Sequence, residues 1–161
     1  MYELPDDLLR PLPGTITFWA EGSRAVVPAG GIWSILIPLA PFSATDPYDP
    51  TTFRNGLDGP ETIAPTIAGD LIDLPGTNLA ALRGLRCDFP VDPYNDGYLD
   101  VTINLCGSHN PLDVSRIEFG ETRDGEIDAE LQATIDFTQE NVQIRNRALV
   151  LPLTLRHERR G

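Results

Sequence analysis

The twelve residues 126–137 alternate without a break, with Ile127, Ala129, Leu131, Ala133, Ile135 and Phe137 on one face and Glu126, Asp128, Glu130, Gln132, Thr134 and Asp136 on the other. An extended backbone has a side-chain period of two, whereas a helix would scatter both sets around its axis. The segment is therefore read as a strand with one face against a core and the other against water. Such a strand needs partners, and the flanking sequence supplies them. Residues 114–122 alternate before it and connect through Arg123-Asp124-Gly125, read as a three-residue hairpin loop with Gly125 in the left-handed position of a bulge. After it, residues 138–141 turn into a strand over 142–147. Leu149, Leu151, Leu153 and Leu155 then follow in the opposite parity, which requires a bulge or turn near Asn146.

Three further strands are legible upstream. Residues 15–21 place Ile16, Phe18 and Ala20 on one face, residues 32–39 are apolar on both faces, and residues 98–105 point Leu99, Val101, Ile103 and Leu105 inward. Two short helical turns are expected, over 4–10 before Pro11 and Pro13, and over 78–83 with Thr77 or Asn78 as cap and Gly84 as stop. Residues 41–76 are rich in Pro, Asp and Gly, and read as a long loop with one short strand near Leu71. The expected architecture is mainly β: one domain over 1–161, an antiparallel β-sandwich or jelly-roll-like fold with one or two short helical turns. The alternative is a single curved antiparallel sheet carrying a short helix.

Charge narrows the chemistry. The net charge is −12 and the chain has no lysine, which excludes Schiff-base, Walker-type and kinase-type lysine chemistry. Phosphate neutralisation by basic residues drives nucleic-acid binding, so no nucleic-acid partner is expected. Arg156, His157, Arg159 and Arg160 form the one basic cluster and read as a frayed tail over 156–161. The amino terminus is acidic where a signal peptide is basic, and the apolar stretch 32–42 is interrupted by Ser34, Pro38 and Pro41. A cytoplasmic protein with no membrane partner is expected, with Cys87 and Cys106 as two small buried thiols.

No constellation specifies an enzyme. Cys87, Cys106, His109 and His157 contain only one ligand pair at short spacing, where zinc sites have two. Ser108 beside His109 lacks a nucleophile elbow. Residues 92–100 fit a calcium loop only in part, since Tyr94 stands at a ligand position and Ile103 where a bidentate glutamate belongs. No catalytic residue, metal or cofactor is therefore assigned. Two carboxylates at the spacing of a glycoside hydrolase can be found among 24 acids without meaning anything.

The acidic stripe is the feature that points to a partner. The hairpin reading sets Thr122 opposite Glu126, Glu118 opposite Glu130 and Arg116 opposite Gln132. Like charges directly across a strand pair cost some tenths of a kcal/mol. Either Arg116, Arg145 and Arg147 neutralise them as a surface ladder, with Arg147 opposite Gln132, or Glu118, Glu126, Asp128, Glu130 and Asp136 form a docking face for a cationic partner. The leading expectation is a non-enzymatic acidic protein-binding module, of the inhibitor or immunity type, neutralising a basic partner such as a toxin or nuclease. The alternatives are a carboxylate-using enzyme or metal- or carbohydrate-binding β-domain with its site in 41–76, and a structural subunit.

Overall fold

The computed structural model describes residues 1–140 and 143–161. Asn141 and Val142, at the end of the expected 138–141 turn and the start of the expected 142–147 strand, lie outside them. Strands occupy half of the chain and helix 6%. In chain order they are β1 (Gly14–Trp19), β2 (Ile32–Pro38), β3 (Phe42–Ala44), β4 (Phe53–Arg54), β5 (Glu61–Ile63), β6 (Thr66–Ile72), β7 (Arg86–Asp88), β8 (Val101–Leu105), β9 (Ser108–Arg123), β10 (Glu126–Ile135) and β11 (Arg147–Arg160).

These strands form neither a sandwich, nor a jelly roll, nor an open curved sheet. Seven of them close into a ring in the order β10-β11-β1-β2-β6-β8-β9, with β9 returning to β10, and β7 adds an eighth strand against β9. The ring is mixed rather than antiparallel. β1 runs parallel to β11, from Gly14 opposite Leu155 to Trp19 opposite Arg160. This pairing corrects the reading of 156–161 as a frayed tail: Arg156–Arg160 are the last paired residues of β11, held between β1 and β10 at its start and by β1 beyond.

A closed ring buries its inward face against itself, so period-two alternation appears in most of its strands. Ile16, Phe18, Trp33, Ile37, Ile67, Ile103, Leu112, Leu131 and Ile135 are each 3% exposed or less and fill the lumen. Each such side chain contributes about 1.5–3 kcal/mol by leaving water. The inward set 99, 101, 103, 105 is buried as the sequence predicts, while the outer face of β2 carries Leu36 into solvent.

The expected 41–76 loop is more structured than its composition suggests. β3, β4 and β5 form a separate three-stranded sheet, with Phe42 and Phe53 ring centres 5.0 Å apart, and β6 is a full member of the ring. The excursion leaves β2 and returns to β6 at one end of the barrel. At the other end Trp33 Nε1 donates to the Gly76 carbonyl (3.2 Å), ahead of the short helix α1 (Leu79–Leu82). Asn78 caps α1, its side chain accepting from Ala81 N–H at 3.1 Å, as the sequence predicts. The amino-terminal turn is a 3-10 turn, Asp6–Leu8. Among the described residues no helix is long and apolar enough to cross a membrane.

Candidate functional site

The outer wall of β9 and β10 carries the acidic stripe. Glu118 faces Glu130 and Arg116 faces Gln132, in agreement with the sequence reading, but Thr122 faces Ile127 and Arg123 takes Glu126. The turn has two residues, Asp124 and Gly125, both left-handed with φ of 46° and 80°, in place of the expected three-residue loop. β9 then advances three residues while β10 advances two, and this bulge restores the predicted register by Glu118.

The five candidate acids have different surroundings. Asp128 receives both arms of Arg123, at 2.5 and 2.8 Å, and that charge-assisted pair holds its carboxyl below the usual range. Asp136 Oδ1 accepts from the Thr138 hydroxyl and backbone N–H and from Asn146 Nδ2, bonds that lower its pKa and shape the turn after β10. Asp136 is thus a turn builder rather than part of a flat face. Glu126 lies between Arg123 and Arg156.

Glu118 and Glu130 differ from these. Both are exposed and opposed, and among the described residues Glu130 accepts only a 3.3 Å bond from Gln132 while facing Pro152 on β11. Two of the three arginines expected to neutralise them do not. Arg145 pairs with Glu3 at 2.9 Å, and Arg147 stands opposite Ile135, not Gln132, bound to Asp6 and the Leu4 carbonyl. Arg116 is held by Asp88 at 2.9 Å, and its guanidinium, with that of Arg86, keeps Asp88 below the ordinary carboxylate range. Arg86 on β7 stands directly across from Glu118 in the ladder and binds Asp88 at 3.2 Å. At three residues β7 is too short to show a period, so this flanking cation was not legible in the sequence.

The remaining candidates are dispersed. His157 points into the barrel opposite Ile16, His109 is exposed opposite Asn104, and Cys87 and Cys106 are free thiols. Burial pushes the Cys106 thiol up to about 11 and raises Cys87 as well, which suits inert packing rather than nucleophilic or metal chemistry. Among the described residues no three His, Cys, Asp or Glu are grouped to hold a metal ion. Asp92 caps its own turn by accepting from Tyr94 N–H at 3.0 Å.

Two surface depressions escaped the sequence reading. One, of about 540 Å³, separates the amino-terminal segment from the start of β11, and its arginines are those committed to Glu3 and Asp6. The other, of about 370 Å³, crosses β1, β2, β6 and β8 and is lined by Trp19, Arg24, Ser34, Asp70, Asp100 and Thr102. Four elements far apart in sequence build it, so no spacing could have revealed it. No protein-family model, curated protein or solved structure matches this chain. Its function is read from its own residues.

Proposed function

We propose that this chain is a non-enzymatic acidic binding module whose outer β9–β10 wall receives a basic protein, in the manner of an inhibitor or immunity protein neutralising a toxin or nuclease. The observation that carries this reading is the exposed, directly opposed pair Glu118 and Glu130, with Arg145 and Arg147 engaged elsewhere. The repulsion costs some tenths of a kcal/mol in the free protein and is relieved by a cation from outside. Such a patch speeds encounter and selects partners by charge. The docking set narrows to Glu118 and Glu130, with Glu126 at its border, since Asp128 and Asp136 serve Arg123 and the 136–138 turn. A cytoplasmic setting belongs to this reading, and the two free thiols support it.

The test replaces Glu118 and Glu130 together by Gln and follows association with two cationic probes, a basic ribonuclease and cytochrome c, at low and high salt. The double variant is expected to be as stable as the parent or slightly more so, to associate more slowly, and to show a flatter salt dependence. A control variant with the same charge change at distant acids, Asp73→Asn with Asp96→Asn, should leave the rate nearly unchanged. Equal slowing in the control, or lowered stability with an unchanged rate, overturns the proposal.

A further inference from the structure

The 370 Å³ trough on the outer wall is a built feature. Its floor is shallow because the outward positions there are small, Ser34 on β2 and Ala68 on β6. Beside them the ladder is broken: between the pairs Trp33–Ile72 and Ile35–Gly69, β6 spends one more residue than β2. The extra residue is accommodated with Leu71 at φ 53°, a left-handed conformation costing on the order of 1–3 kcal/mol outside glycine. Bulges of this kind re-aim side chains, and the one re-aimed here is Asp70.

Asp70 Oδ1 accepts from Leu71 N–H at 3.0 Å and from Arg24 Nη2 at 2.5 Å. The Arg24 guanidinium lies 4.1 Å from the centre of the Trp19 ring, and Trp19 Nε1 donates to Ser34 Oγ at 2.8 Å. Each member of this chain fixes the next, so the trough is preorganised. It is also unsaturated. Among the described residues Asp70 is the one acceptor that the Arg24 side chain meets, and Asp100 is exposed with no donor.

Charge decides which ligand fits. A free anion entering the trough meets Asp70 and Asp100, and a free cation meets the Arg24 guanidinium. The Arg24–Asp70 pair nevertheless leaves Asp100 as the one uncompensated charge, so a cation is the competing ligand. A neutral ligand whose groups both donate and accept suits all three, with the indole edge against its C–H surface and the Thr102 hydroxyl within the lining. We propose that this trough is a subsite for a neutral polyhydroxyl ligand of one or two sugar rings, with vicinal hydroxyls bridging Arg24 and the Asp70 and Asp100 carboxylates. It is independent of the acidic pair on β9 and β10, which lies across the ring from it.

Tryptophan fluorescence tests this directly. The chain has two tryptophans, and Trp33 is only 1% exposed, so a ligand in the trough is reported by Trp19. The probes are glucose, galactose, mannose, N-acetylglucosamine and maltose, with argininamide and sulfate as charged counterparts. A saturable change with at least one neutral sugar is expected. Asp100→Asn should weaken it by about tenfold through one lost charge-assisted hydrogen bond, and Ala68→Leu should abolish it by filling the floor. Both positions are exposed, and an unchanged thermal midpoint verifies that each variant folds. The Glu118→Gln, Glu130→Gln protein should bind sugar as the parent does, which separates this proposal from the docking reading. No response to any neutral sugar, a response to argininamide or sulfate alone, or one that survives Ala68→Leu overturns it.

Discussion

His157 is an ionisable side chain turned toward an apolar lumen. It stands opposite Ile16 on the inward side of β11, its ring centre 5.6 Å from that of Trp33, and its Nε2 is buried with no partner among the described residues. Burial, helped by the nearby positive charge of Arg159, holds its pKa below the ordinary histidine value. The unfolded chain therefore takes up a proton as the pH is lowered below about 6.5 while the folded protein resists it, so folded stability falls across that window until the depressed folded pKa is passed. Denaturant midpoints of the parent and of His157→Gln, compared at about pH 7.5 and pH 5.5, isolate this contribution from the carboxylates common to both. The parent should lose more stability than the variant on acidification. Equal losses would mean that His157 does not titrate differently in the two states.

The β9–β10 hairpin depends on a single conformational choice. Its two turn residues are left-handed, and a Cβ added at Gly125 would meet no atom within 4 Å, so the cost of substitution there is purely backbone strain. Gly125→Ala should destabilise the protein by about 1–2 kcal/mol, and Gly125→Asn by less, because Asn tolerates the left-handed region. Chemical denaturation of the pair checks the ranking, and equal stability of both with the parent would remove the two-residue turn. The same hairpin marks the limit of what the sequence discloses. Residues 126–137 were legible because one face is wet and the other dry along the whole strand. The turn length was not, because a bulge in β9 compensates a shorter turn and leaves Glu118 opposite Glu130 either way. β3, β4, β5 and β7 are only two or three residues long, too short for any period to show. Arg156–Arg160 carried charges that masked a strand whose inward positions end in His157 and Arg159. The trough was hidden for another reason, since Trp19, Arg24, Asp70 and Asp100 meet only after the ring has formed.

The parallel contact of β1 with β11 decides the architecture of the whole molecule. Without it the order β10-β11 and β1-β2-β6-β8-β9 would be an open sheet joined at β9 and β10, and β1 and the long β11 would present unpaired edges. Removing residues 156–161 deletes the partners of Thr15 through Trp19. At about 0.5–1.5 kcal/mol per hydrogen bond the loss amounts to several kcal/mol, which lowers a melting midpoint of a protein this size by about 10 °C or more. The truncated protein should also bind a hydrophobic dye that the parent excludes, and an unaltered midpoint would return these residues to the status of a tail. The closing pair also dictates an order of assembly. β9 and β10 are neighbours along the chain and can zip from their own tight turn, whereas β1 must find a partner that lies at the far end of the sequence. Loop entropy opposes that encounter before any of its hydrogen bonds form, so the ring is expected to seal late in folding, with the inward apolar side chains wet until it does.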